Sequence, residues 1–239
     1  MLFQQFGRYP GLVATISTRH HGSMNIGNGQ ADASWENYAQ FLQALEIDPW
    51  RVIRAKLVHG TGVCHAGEPE AGSTIVGVDG LITRRRKLFL AVTSGDCLPI
   101  FFLDPDSGTV GLAHAGWKGL IRGMARMMVH ELKDVGIKPG RLSVGIGPAI
   151  SASHYEVTPD WLEQNFSLRN RQGYATTVNG KTTFNLKGFA YNQLIDAGVN
   201  PSHIQVHGSC TYSDDRYFSF RREPHDPPQV MVSIIGWRS

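Results

Sequence analysis

The stretch GLITRRRKLFLAVTSGDCLPIFFLDPDSGTVGLAHAGWKG, residues Gly80 to Gly119, decides the fold class of this chain. Four short apolar or β-branched runs follow one another in it: Gly80–Thr83, Leu88–Thr93, Leu98–Leu103 and Thr109–Ala113. Only turns separate them, and Asp104-Pro105-Asp106-Ser107-Gly108 marks a tight one. Strands in a run, without a helix between each pair, speak against βαβ alternation. The stretch therefore predicts an α+β fold of mixed β-sheets flanked by helices, in place of a doubly wound sheet. A helix is expected next, from Lys118 to Val135, because Leu120, Ile121, Met124, Met127, Met128, Leu132 and Val135 keep helical spacing. Gly136 is its C-cap, and the methionines read as core filling.

Upstream, Leu12–Ser17 reads as a strand, followed by a Gly/Asn/His-rich loop through Gly29. A helix is expected over Ser34–Leu45 with Ser34 as N-cap, then a strand over Val52–Val58 that delivers His59. Downstream the pattern predicts strands at Leu142–Ile146, Ile204–Val206, Tyr217–Phe220 and Val230–Ile235, and helices at Pro159–Phe166 and Leu186–Ala197. No repeat, low-complexity tract or linker interrupts residues 1–239, so one domain is expected.

Composition narrows the class. With 239 residues, 41% hydrophobic content, 18% charged residues and 27 glycines, the chain suits a loop-rich enzyme and not a disordered protein. A net charge of +3 is scattered, and the one basic run, Arg84-Arg85-Arg86-Lys87, reads as a solvated turn. Nucleic-acid binding needs a continuous basic face, so it is not expected; a small anionic substrate is compatible. Cys64, Cys97 and Cys210 are odd in number and far apart, which argues for a reducing compartment. No run approaches the ~18 apolar residues of a membrane span, and the start lacks an export signal. The expectation is a cytoplasmic enzyme. Gly145-Ile146-Gly147-Pro148 lacks the third glycine of a dinucleotide fingerprint.

Three residues at strand ends stand out. Cys97 follows Gly95-Asp96 at a break in the strand run, and Pro99 suggests a bulge or edge there. Asp96 is read as orienting a histidine or the backbone. His114 ends a strand, with Gly116 and a helix start behind it whose N–H groups suit an anion. His59 ends another strand and is followed by Gly60. Two imidazoles and a thiolate leave one position open on a tetrahedral zinc, as in catalytic sites. Such a metal lowers the pKa of bound water to ~7. Without metal, the same residues make a Cys–His nucleophilic pair, and the sequence leaves ligand and nucleophile open for Cys97. Competing groups are Cys64-His65, His203/His207/Cys210 and His20-His21, all in weaker settings.

Together these stretches resemble the YfiH-like family, also called laccase-domain or polyphenol-oxidase-like proteins and described as purine nucleoside phosphorylases. The matching pieces are Thr18-Arg19, Met24-Asn25-Ile26-Gly27, Val58-His59-Gly60, Asp79-Gly80-Leu81-Ile82-Thr83, Gly95-Asp96-Cys97-Leu98-Pro99, His114-Ala115-Gly116-Trp117-Lys118-Gly119, Gly147-Pro148-Ala149-Ile150 and Cys210-Thr211-Tyr212 leading to Phe218-Ser219-Phe220-Arg221-Arg222. The resemblance implies that His59, Cys97 and His114 are both metal ligands and catalytic residues, with zinc, or copper, as cofactor. It implies phosphorolysis of adenosine, inosine and methylthioadenosine, adenosine deamination as a second activity, and a cysteine-hydrolase fold of the cytotoxic-necrotizing-factor type. Substrate and phosphate would fall to Arg19, Asn25, Lys118 and Arg221, with Arg222 beside it. Departures are a short first loop, Lys118 where Arg is common, Ala149 where Cys is common, and an atypical tail from Glu223. The alternatives are a Cys97–His114 hydrolase acting on a peptidoglycan-type precursor, and a non-catalytic zinc protein with Cys64 or His65 as fourth ligand. A multicopper oxidase is set aside because the 10 histidines include no His-x-His pair and no His-Cys-His segment.

Overall fold

Side-chain alternation along the central strands sorts the apolar residues into layers in the computed structural model, which describes residues 2–26, 33–167 and 172–238. Gly27 and the rest of the first loop through Gly29 lie outside the described residues. β7 (Leu98–Leu103) and β8 (Val110–Ala115) are buried at every position, as expected of strands covered on both faces. Phe101 and Leu103 of β7, with Val110 and Leu112 of β8, face one core; Ile100, Phe102 and Ala113 face another. That period of two sends His114 to the same side as Leu112.

These strands centre a six-stranded sheet. Its other members are β3 (Val63–His65), β5 (Gly80–Thr83), β9 (Ser143–Ile146) and β13 (Ile204–Val206), and its order is β13-β9-β7-β8-β5-β3. A five-stranded sheet is built from β1 (Leu12–Ile16), β2 (Val52–Lys56), β4 (Thr74–Val76), β6 (Phe89–Ser94) and β14 (Met231–Trp237), in the order β1-β14-β6-β2-β4. Both mix directions: β2 runs parallel to β4 and β6, while β6 and β1 pair antiparallel with β14. β10 (Glu156–Val157), β11 (Ala175–Val178) and β12 (Lys181–Phe184) form a small antiparallel sheet.

The large sheets pack face to face through Leu90, Val92, Phe101, Leu112 and Ile235. α1 (Ala33–Ala44) closes the outer face of the five-stranded sheet, Tyr38, Phe41 and Leu42 meeting Val52, Ala91 and Val232. α2 (Trp117–Ile121), α3 (Met124–Asp134) and α5 (Leu186–Asp196) cover the six-stranded sheet, with α4 (Pro159–Asn165) beside the small one. The expected α+β class with mixed sheets is what forms, as four layers: helix, sheet, sheet, helix.

Several expected elements change. The single helix over Lys118–Val135 is two, because Gly123 takes a left-handed φ of +88° and ends α2 after five residues. Met124 and Met128 are core residues, as read. Tyr217–Phe220 is not a strand: Tyr217 N–H bonds the Asp214 carbonyl and Phe218 N–H the Met231 sulfur, so its backbone joins no ladder. Ser34 lies inside α1 and is not its cap. Pro99 is at neither bulge nor edge but near the start of a central strand. Its carbonyl accepts from Gly147 N–H, so its imide nitrogen faces the same side, where the β9 ladder begins only at Ile100.

Candidate active site

A buried carboxylate that the sequence reading left unassigned organises the site. Asp79 precedes the apolar strand β5 and is fully buried. Its oxygens accept from the backbone N–H groups of Val58, His59 and Gly60 at 3.2, 2.9 and 2.7 Å. Oδ1 also takes the His114 Nδ1 proton at 2.9 Å, and the Asp79 carbonyl accepts from His114 N–H at 2.8 Å. One side chain thus places two histidines from different sheet regions. His59 has a left-handed φ of +57°, a strained state for a residue with Cβ that this knot of bonds holds in place. Because Nδ1 is engaged by Asp79, Nε2 is the His114 ring nitrogen left to face the rest of the site.

Cys97 arrives by a second device. Asp96 takes a φ of +82°, its carboxylate accepting from Thr211 Oγ1 at 2.6 Å and Arg221 N–H at 2.7 Å. Its carbonyl accepts from Ile150 N–H. Asp96 therefore orients backbone, one of its two expected roles; orienting the histidine falls to Asp79. Gly116 completes the fit: a Cβ there would lie 2.9 Å from Cys97 Sγ and 3.1 Å from His59 Cδ2.

The geometry brings the three sequence candidates together. One ligand atom each from His59, Cys97 and His114 lie within 4.8 Å of one another, the one such group among the described residues. The two imidazole rings meet edge to face, 4.8 Å between centroids. Burial alone would raise the Cys97 thiol, but His114 and then His59 outweigh it and bring it to about 6. Burial would likewise depress His114; the Cys97 thiolate and the Asp79 hydrogen bond raise it to about 9. His114 is buried and His59 exposed, so the group opens on one side. A thiolate, an imidazole fixed in one tautomer by a carboxylate and a second imidazole are a donor set that fits a divalent metal with an open position.

The trio borders a cavity of about 660 Å³ whose other walls include Ile26, Leu57, Trp117, Ile150, Leu186 and Val230. Its volume falls in the range of small-molecule sites. Asn25 and Arg221 line it, as do Arg54, Lys56 and Tyr155, which sequence reasoning passed over. Arg19 does not: it pairs with Glu223 at 2.8 Å and lies over the Phe218 ring. Lys118 is exposed, its Nζ 5.5 Å from the Trp117 ring centroid, and is no lining residue. Arg222 is consumed by the carbonyls of Thr211, Tyr212 and Tyr217. The five-residue α2 offers little of the dipole that a long helix from Lys118 promised.

The competing groups sit apart from the trio. His65 pairs with Glu131 at 2.8 Å, and Cys64 beside it on β3 is not in the group, so neither supplies a fourth ligand. Cys210 meets His154 instead of His203 or His207. His21 is bound to Thr18, its ring against Phe41. The signal that would have found Asp79 was present: an acid directly before the run Gly80-Leu81-Ile82-Thr83 carries a burial penalty unless donors surround it.

Residues 12–237 match the family described as multi-copper polyphenol oxidoreductase laccase. A purine nucleoside phosphorylase of Streptomyces griseus is 32% identical over 212 residues, 87% of this chain and 85% of that protein. The crystal structure of YlmD from Geobacillus stearothermophilus superposes with a TM-score of 0.86 at 31% identity, covering 97% of this chain and 93% of that one. That of the Bacillus licheniformis hypothetical protein YfiH does so with a TM-score of 0.87 at 27% identity, over 99% and 95%. Matched across nearly its whole length in sequence and in fold, the chain belongs to the laccase-like, YfiH family.

Proposed function

We propose that the chain is a purine nucleoside phosphorylase that uses phosphate to cleave adenosine, inosine and methylthioadenosine, with adenosine deamination as a second activity. The observation that carries this reading is the His59–Cys97–His114 group at the edge of a largely apolar cavity with an arginine in its wall. The purine nucleoside phosphorylase names of the relatives from Streptomyces griseus and Geobacillus stearothermophilus support it.

Each part of the chemistry has a group suited to it. The flat purine is taken by Leu57, Trp117, Ile150 and Leu186, which also keep bulk water from competing with phosphate. Arg221 holds the phosphate. Its backbone N–H is tied to Asp96, Nη1 donates to the Glu156 carbonyl at 2.8 Å and its guanidinium lies over the Tyr155 ring, so the fork is set before the anion arrives. Asn25, its Nδ2 donating to the Pro228 carbonyl at 3.1 Å, lines the same cavity. Asp79 keeps the proton on His114 Nδ1, so Nε2, once it gives up its own proton, is the atom that would hold a metal. A zinc ion held by His59, Cys97 and His114 would supply the electrophile that stabilises charge on the departing base or activates water for deamination.

Metal-loaded protein incubated with adenosine, with and without phosphate, tests the proposal by chromatography of the products. Adenine and ribose 1-phosphate formed only with phosphate, and lost in Cys97→Ala, are the expected result; no product from any nucleoside would sink it.

A second reading, a cysteine hydrolase with the cytotoxic-necrotizing-factor type of fold, is favoured by one observation. The Cys97–His114–Asp79 line also has the form of a thiolate nucleophile, its base and the orienter of that base. Trapping of an acyl group on Cys97 by an amide substrate would favour it over phosphorolysis.

A further inference from the structure

A second thiol is held by a separate set of donors. Cys210 makes an isolated parallel bridge with Ala149. Ser151 N–H reaches its Sγ at 3.2 Å and His154 Nδ1 lies 3.5 Å away. His154 is positioned in turn: Ser151 Oγ sits 3.1 Å from its Nδ1, and its ring stacks on Tyr212 at 4.8 Å. Lys187 brings positive charge to the same corner, anchored by Nζ donation to the carbonyls of His207 and Ser209 at 2.9 and 2.7 Å. None of Cys210, His154 or Lys187 lines the cavity of the trio. Cys210 is 8% exposed and His154 is half-buried beside it.

We infer that Cys210 and His154 form a second reactive-thiol site, separate from the catalytic group, that is modified by peroxides and other small soft electrophiles. With hydrogen peroxide the thiolate attacks one oxygen, the O–O bond breaks, and hydroxide leaves to be protonated to water. The sulfur is oxidised to a sulfenic acid and the peroxide is reduced. Burial would raise the thiol, but Ser151 and the backbone donors outweigh it and hold it at about 6, whereas burial raises that of Cys64 above its ordinary value. Cys64 is therefore the internal control.

At pH 7 a thiol near 6 is ~90-fold more ionised than one near 9, while its nucleophilicity is ~20-fold lower. Cys210 is then expected to react at least about fourfold faster than Cys64. Metal-loaded protein is treated with iodoacetamide from pH 6.5 to 8.5, or with hydrogen peroxide plus dimedone, and each cysteine peptide is quantified by mass spectrometry. The inference predicts a Cys210 rate that levels off above about pH 7 while that of Cys64 climbs ~tenfold per pH unit. It also predicts a dimedone adduct on Cys210, and a slower Cys210 in His154→Asn. A Cys210 rate that climbs in parallel with Cys64, or no dimedone adduct, overturns the site; an unchanged rate in folded His154→Asn overturns the pairing. The wild-type comparison stands on its own if that variant does not fold.

Discussion

Asp79→Asn is the substitution with the most to say about this site. Asp79 Oδ1 faces two donors, His114 Nδ1 and His59 N–H, and Oδ2 faces two more, the N–H groups of Val58 and Gly60. An asparagine has one oxygen, so in either orientation its amide points N–H groups at two donors. Each buried donor left unpaired costs about 1–3 kcal/mol, so a loss of about 2–6 kcal/mol is expected. The imidazole has one escape: it moves its proton to Nε2 and accepts at Nδ1, which removes the lone pair a metal needs. Loss of such a carboxylate partner costs about 10–100-fold in metal affinity or activity. Burial would raise the Asp79 carboxyl, but the His114 hydrogen bond and the backbone donors win and hold it below its ordinary value. Its share of the stability is thus complete above the usual aspartate range near ~4 and is lost as pH falls through the depressed value. The assay pairs zinc content and adenosine turnover of the variant with thermal melts from pH 7 to 3. A folded Asp79→Asn protein with wild-type zinc content, turnover and acid sensitivity would show that the knot is not what orients His59 and His114.

Further predictions follow from single contacts. Gly116→Ala places a Cβ against Cys97 Sγ and His59 Cδ2, and turnover is expected to drop at least ~10-fold through misplacement alone; a thermal melt close to wild type beside that loss distinguishes it from unfolding. Arg221→Ala is expected to raise the KM for phosphate at least ~10-fold, the ~1.5–3 kcal/mol of a charge-assisted bond, and to move the KM for nucleoside far less. After chelation, alkylation of Cys97 is expected to stay level down to pH 7 and to halve near pH 6, because the thiol sits at about 6; a rate still rising at pH 9 contradicts the ion pair with His114. Gly145→Ala drives a Cβ to 2.5 Å from the Phe3 ring, and denaturant melts are expected to show a loss of about 1–3 kcal/mol from overpacking.

The sequence carried the central strands plainly, because β7 and β8 are apolar at both faces and their bounding turns hold Gly, Pro and Asp. Edge strands such as β4 and β11 were not legible: their exposed threonines and valines show no apolar alternation, and pairing alone makes them strands. The break at Gly123 hid inside a helical apolar stripe that continues in register on both sides of it. His59, Cys97 and His114 could be read because each lies close to a strand end beside a glycine or a turn, although the strand expected over Val52–Val58 stops at Lys56 and Cys97 sits in the bend before β7. Asp79 was passed over: its place before an apolar run signals a buried acid, but its role as organiser depends on the Val58–Gly60 loop folding over it. Arg19 and Lys118 misled because a cation near a site motif says nothing of which way its side chain leaves the backbone. Arg19 leaves toward Glu223.

The reading of the trio as one catalytic metal site is met most directly by titrating chelated protein with zinc while following phosphate-dependent adenine release from adenosine. The expected result is a linear rise in turnover that ends at one zinc per chain and is absent in His59→Ala and His114→Ala. Full turnover in the chelated protein, or in either variant, would contradict it.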